Sequence, residues 1–291
     1  MKKISVLLIL IVIVSVSATG CVDGNDRDYL KMGFVPMMDA DSLVENVEPL
    51  AEMLSDELGV EVRAFTATRY VGVVEALGAE QVDFGFIPPM AYVLANQQSD
   101  AQVILTALNE HGEAYYRSQF LVRKDSNIHD FQDIKGKNVA FVDPTSTSGH
   151  IFPHAHLKNL GLEGDKDFKY HFAGGHDSAL QLLLNGDVDV ATTFVDARTR
   201  YSDDFPTALE ETEVLGYTEN IPNISVTAGS HLDEEMQQEI KTALLNIADD
   251  PVGEKLLIEL FNQHGYVEAS DEDYDVIRTT AKLMDIDLED Q

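Results

Sequence analysis

Val139-Ala140-Phe141-Val142-Asp143-Pro144-Thr145-Ser146-Thr147-Ser148-Gly149 is the stretch on which the fold turns. A strongly apolar run reads as a buried strand, hydroxyl residues follow it, and a helical pattern opens near Gly149 and runs to about Leu160, with Gly161 as its stop. The first N–H groups of a helix have no intrahelical partner, and they carry the positive end of its dipole, so such a joint can seat an anion. The hydroxyls add neutral donors suited to a tetrahedral oxyanion. One capping serine would be ordinary; Ser146-Thr147-Ser148 exceeds what a cap needs. A second joint, Gly174-Gly175-His176-Asp177-Ser178, again links a strand to a helix, with His176 able to donate and Asp177 able to cap.

Outward from this stretch the chain alternates strand and helix. On the N-terminal side, strands are expected at Lys31 to Pro36, Val60 to Phe65, Val82 to Ile87, Val103 to Leu108 and Ser118 to Arg123. Helical spacing at Val47, Leu50, Leu54 and Leu58 and at Val71, Val74 and Leu77 separates the first three. On the C-terminal side, Tyr170 to Ala173, Val188 to Thr192, Val214 to Tyr217 and Ile224 to Thr227 read as strands. Ala179 to Leu184 reads as a helix, and three further helices close the chain at about 233–248, 253–264 and 271–284. This order predicts an α/β architecture with largely parallel sheets. Ser118–Arg123 and Val214–Thr227 are the candidates for crossings between two lobes, and a single continuous sheet is the alternative.

The N-terminus reads as a signal peptide over residues 1–20. Lys2 and Lys3 precede an apolar run, Ile4 to Val16, too short to span a bilayer comfortably, and small residues lead to Cys21. Cys21 is the chain's single cysteine and cannot pair internally. Directly after Thr19-Gly20 it resembles the lipobox of surface lipoproteins; an uncleaved anchor helix is the plain alternative. Residues 21–28 read as a polar, lipid-anchored tether. Loss of residues 1–20 moves the net charge from −31 to −33. That excess of carboxylates, with no basic stripe, excludes nucleic acid as a partner. A hydrophobic content of 44% with regular periodicity argues for a folded chain rather than a disordered one. Such an acidic chain suits high salt, where screening removes most self-repulsion.

Several motifs in order carry a family resemblance. Ala67-Thr68-Arg69-Tyr70-Val71-Gly72-Val73-Val74-Glu75-Ala76-Leu77, then Tyr116-Arg117-Ser118, then Val142 to Gly149, then Gly175-His176-Asp177-Ser178-Ala179 resemble the phosphonate/phosphite-binding proteins (the PhnD type) of ABC importers. The similarity runs from about Tyr29 to Asp250. It implies a two-lobed type II periplasmic-binding-protein clamshell, with residues 29–119 plus 222–291 forming lobe 1, residues 120–221 lobe 2, and two crossover segments joining them. It implies that Ser146, Thr147, Ser148 and His176 form an oxyanion cradle, that Tyr70 and Tyr116 face it from the other lobe, and that Asp196 fills the family's acidic position. An exposed aspartate beside Arg198 and Arg200 is the plainer reading of Asp196. The implied protein is a monomeric receptor at the outer face of the cytoplasmic membrane, working with permease and ATPase subunits, without cofactor or metal.

Two departures narrow the ligand. Aminoethylphosphonate binders carry an acidic residue two positions after the Ile-Pro pair; here Ile221-Pro222 is followed by Asn223-Ile224. Pro88-Pro89 stand where family members often have a glycine. Phosphite or a simple phosphonate is therefore the expected ligand. His150 and His154 are spaced i, i+4, but nothing in sequence completes a tetrahedral metal set with them. A phosphoryl-ester enzyme would need a nucleophile beside a base, which no motif supplies. A ligand sensor on the same scaffold is the other alternative, since its binding site would be identical.

Overall fold

The computed structural model describes residues 28–36 and 40–288. The expected signal segment, Cys21 and most of the tether lie outside the described residues. The chain lays down β1 (Tyr29–Phe34), α1 (Ala40–Leu58), β2 (Glu61–Thr66), α2 (Tyr70–Gly78), β3 (Phe84–Ile87), α3 (Pro89–Ser99) and β4 (Gln102–Ala107). A short β5 (Tyr115–Tyr116) leads to β6 (Ser118–Arg123), β7 (Asn138–Phe141), α4 (Phe152–Asn159), β8 (Lys169–Phe172), α5 (His176–Asn185), β9 (Val190–Phe194), α6 (Ala197–Arg200), α7 (Ala208–Glu211) and β10 (Thr212–Tyr217). The return runs through β11 (Ile221–Pro222) to β12 (Ser225–Ala228), α8 (Glu234–Asp249), α9 (Pro251–Phe261), β13 (Tyr266–Glu268) and α10 (Asp275–Leu283).

These strands form two main sheets, ordered β13-β4-β12-β3-β1-β2 and β10-β6-β9-β7-β8. Residues 108–117 carry the chain from the first sheet to the second, and residues 218–224 carry it back. The two crossings are stitched together where β5 runs antiparallel to β11, with Tyr116 opposite Ile221 and Tyr115 opposite Pro222. The architecture is thus the expected two-lobed α/β one. The sheets are mixed, however, rather than largely parallel. β1 pairs in parallel with β2 and β3, and β7 with β8 and β9, whereas β12 and β6 enter antiparallel to their neighbours. A parallel neighbour needs a crossover helix. A strand arriving from the other lobe is under no such constraint.

Some elements departed from the sequence pattern for identifiable reasons. Helix α3 was not anticipated because Pro89 through Ala95 are all buried, which leaves no polar face to generate a helical period. Strand β13 is a three-residue edge strand beside β4, too short to alternate visibly. The helix expected from Gly149 begins earlier, as a π-helical turn over Thr147–Ile151 that passes into α4.

Burial follows the lobes. Met32, Leu50, Leu54, Phe84, Leu244 and Leu257 centre one core on the first sheet, and Phe120, Val139, Phe141 and Leu157 centre another on the second. A third apolar cluster runs between them, from Tyr70, Val74 and Met90 through Val142, Ile151 and Phe152 to Leu180. At about 25 cal/mol per Å2 of apolar surface, this shared cluster favours the lobes being pressed together.

Candidate functional site

In open α/β sheets ligands sit beyond the carboxyl ends of the strands, and the candidate residues lie there. Residues 142–148 leave β7, residues 173–176 leave β8, and Val195-Asp196 leave β9. Backbone bonds from Ala173 N to Phe141 O and from Gly174 N to Val142 O, each 2.8 Å, hold the first two loops side by side. From the other lobe come Tyr70, the first residue of α2, and the Pro88-Pro89-Met90 start of α3.

The turn after β7 is fixed from several sides. Thr145 folds back on Asp143 through its amide at 2.8 Å and its hydroxyl at 2.7 Å. Ser146 Oγ accepts the Gly149 amide at 3.1 Å, as a cap should. The Ile151 amide reaches the Ser146 carbonyl at 3.0 Å, the i to i−5 pattern of a π-turn, a conformation frequent at functional sites. Ser118 donates its hydroxyl to the Ser148 carbonyl. Thr192 donates to the Gly149 carbonyl at 2.7 Å. His150 Nδ1 donates to the Pro144 carbonyl at 2.8 Å, so its Nε2 is left to accept from His154 Nδ1 at 3.1 Å. The i, i+4 histidine pair noted in the sequence is therefore a relay bracing the loop. No cluster of three or more metal-ligating side chains occurs among the described residues.

Each hydroxyl of the turn also meets the opposite lobe or the crossing. The Tyr70 phenol lies against Ser146, and burial first of all pushes it far above its ordinary range. The Tyr116 phenol lies against Ser148, and burial pushes it up to about 12. Thr147 Oγ1 accepts the backbone N–H of Met90 at 2.9 Å, which leaves the Thr147 hydroxyl proton free to donate elsewhere. Ser146, Thr147 and Ser148 are all buried. His176 is buried too, its ring 4.9 Å from Phe194. Its Nδ1 has no hydrogen-bond partner, and burial lowers its pKa to about 3, so the ring is neutral at physiological pH. An orphaned buried ring nitrogen is costly and is a feature that calls for a ligand.

Asp196 lies apart from this buried group. It is exposed, it adopts φ 71° as the residue preceding α6, and its side chain caps nothing. A non-glycine residue in that conformation carries of order 1 kcal/mol of strain and points to a local purpose. Burial, and then the charge of Glu110 on the first crossing, raise its carboxyl above the usual range. Of the sequence candidates, Tyr70 and Tyr116 lie against Ser146 and Ser148, Thr147 is bonded to Met90 instead, His176 stands on the neighbouring loop, and Asp196 stands at the rim. Sequence reasoning did not find Met90, Ser118, Thr192 or Glu110. The Pro88-Pro89 pair was the one available signal for Met90, because proline favours a helix start; the others sit at unremarkable positions.

Comparison with known proteins follows the same outline. A phosphate-import protein of Mycolicibacterium smegmatis is 36% identical over 177 residues, covering 57% of this chain and 55% of that protein. The phosphonates-binding periplasmic protein of Escherichia coli is 26% identical over 246 residues, covering 83% and 72% respectively. The structure of PhnD1 from Prochlorococcus marinus in complex with methylphosphonate superposes with a TM-score of 0.79 at 23% identity, covering 89% of this chain and 98% of that one. These relatives are substrate-binding transport proteins rather than enzymes. Residues 32–274 match the family described as ABC transporter, phosphonate, periplasmic substrate-binding protein, and the chain belongs to that family.

Proposed function

We propose that this chain is the lipid-anchored receptor of an ABC importer and binds a phosphonate- or phosphite-type oxyanion between lobes 29–119 plus 222–291 and 120–221. Tyr70, Tyr116, Ser146, Thr147, Ser148 and His176 hold the oxyanion, and Asp196 faces it from the rim. Cys21 carries the lipid at the outer face of the cytoplasmic membrane, and a monomer delivers its ligand to permease and ATPase subunits. The observation that carries this reading is the partnerless Nδ1 of buried His176, on the loop beside a turn lined with three buried hydroxyls. These donors are all neutral. A chain of net charge −31 repels anions at long range, so the local donors must supply both affinity and selectivity.

Ile224 supports a ligand without an amino group. It stands at the position where the resemblance implies an acidic residue in binders of amino-bearing phosphonates, and it packs against the first-lobe core. Titration calorimetry with methylphosphonate, phosphite, phosphate and aminoethylphosphonate tests the assignment. Ser146→Ala and His176→Ala are each expected to weaken binding by about 1–3 kcal/mol, the worth of a charge-assisted hydrogen bond. Absence of binding to all four anions at millimolar concentration would overturn the assignment, and wild-type affinity in both variants would move the ligand elsewhere.

Asp196 makes a separate prediction. A carboxylate facing an oxyanion is repulsive unless a proton lies between them. Affinity is expected to fall as pH rises through the last ionisation of the ligand, and Asp196→Asn is expected to flatten that fall. An identical profile for the variant, measured by calorimetry between pH 5.5 and 8.5, removes the role (~10-fold flattening is the expected scale for one pKa-sized interaction).

A further inference from the structure

Two cations of the second lobe reach across to the first, and both end on the same kind of target. Arg200 closes the four-residue helix α6 and donates Nη1 to the Glu259 carbonyl at 2.6 Å and Nη2 to the Leu260 carbonyl. Those carbonyls belong to the last turn of α9, where C-terminal carbonyls lack intrahelical partners and the dipole is negative. Helix α9 carries no basic residue of its own in that turn. On α4, Lys158 donates Nζ to the Leu283 carbonyl at 2.8 Å, the last residue of α10, and reaches Asp285 at 3.3 Å. Helices α9 and α10 are built after the return crossing; α4 and α6 lie before it.

We propose that Arg200 and Lys158 are the closure latches of the clamshell, each seating a second-lobe cation on the C-terminal carbonyls of a first-lobe helix. The inference rests on reading the chain as a receptor that closes on its ligand. Arg200 makes no ion pair with a carboxylate among the described residues, although acidic residues outnumber basic ones 51 to 20. Its partners are backbone carbonyls, which a guanidinium fork can engage two at a time. Partial desolvation lowers the Arg200 pKa, while the residue as a whole stays exposed. The latch is also wired to the site. The Arg200 amide donates to the Asp196 carbonyl at 2.9 Å, so the rim residue proposed to face the ligand and the latch share one turn of helix. Movement of Asp196 onto a ligand therefore carries Arg200 with it. Neither latch touches the buried hydroxyls, so they set how long the lobes stay shut and leave ligand choice to the cradle.

The test uses the full chain with Cys21→Ser and spin labels on cysteines placed at Lys166 and Gln238, both exposed and one on each lobe. Arg200→Met and Lys158→Met are expected to shift the interlobe distance distribution to longer values. Each should raise methylphosphonate dissociation about 10-fold in stopped flow, with the association rate and the methylphosphonate-to-phosphate preference unchanged. Arg200→Lys should restore part of the effect, and Asp285→Asn should leave it untouched, because the carbonyl contact of Lys158 survives. Unchanged distances and dissociation in the double Met variant overturn the latches. If the wild type binds none of the anions, the functional reading fails, and the distances without ligand still decide the latches.

Discussion

Replacing Gly149 with alanine is expected to abolish measurable oxyanion binding and to lower the melting temperature by roughly 4–10 °C. A Cβ at this position would lie 2.4 Å from both Cβ and Cγ2 of Val142 and 2.8 Å from Ser146 Oγ. None of these atoms is the far end of a flexible side chain. Val142 is fully buried and bonded through its amide to the Gly149 carbonyl at 3.1 Å, and Ser146 is the cap of the turn. The turn must therefore move, carrying all three hydroxyls with it. Overpacking of this kind costs about 1–3 kcal/mol in stability. Binding suffers more, because several donors lose their aim together. Calorimetry and thermal denaturation of Gly149→Ala check both parts, and wild-type values in either would show that the turn tolerates the displacement.

Acid should weaken the folded protein through its buried histidines. Burial lowers His150 and His154, the latter to about 4, and His176 to about 3. In the unfolded chain each takes a proton near pH 6.5. Between that value and the folded pKa the unfolded state binds more protons, so stability falls as pH falls. The full contribution is present above about pH 6.5. At pH 4.5, His176 alone has removed about 2.7 kcal/mol, and His154 adds a similar amount. Opening the lobes would return water to His176 at less cost than unfolding, so separation of the lobes should precede unfolding. Denaturant titrations from pH 7 to 4.5, in salt high enough to screen the surface carboxylates, measure the slope. His176→Gln and His154→Phe should each make it shallower. A slope unchanged in both variants would assign the acid sensitivity elsewhere.

Much of the fold was legible because alternation of strand and helix is a local property. The strand Ser118–Arg123 matches β6 to the residue, although it lies inside the second sheet rather than crossing between the lobes, and Gly161 marks a helix end as expected. What escaped notice depended on burial. Helix α3 is buried from Pro89 through Ala95 and shows no polar stripe there, and the π-turn at Thr147–Ile151 differs from an α-helix by a shift in hydrogen bonding that spacing does not register. The motifs of the candidate cradle were legible because their hydroxyls are adjacent in sequence. The bond from Met90 to Thr147 and the contact of Tyr70 with Ser146 join residues 57 and 76 positions apart, and only the folded chain brings them together. Asp196 was visible as a residue type, but its rim position and its neighbour Glu110 were not.

The ribbon of β5 and β11 has a mechanical consequence. Tyr116 lies in the ribbon itself, paired with Ile221, and its phenol lies against Ser148. A point on a pivot travels least when the arms swing. If the lobes close by rotation about the ribbon, as the proposed receptor requires, the Tyr116 contact would stay nearly intact at every angle, while Tyr70 and Met90, set out along the arm, would arrive only at the end of the stroke. Half of the proposed grip would then stand before the jaws move, and the remainder would work as a stop that registers full travel.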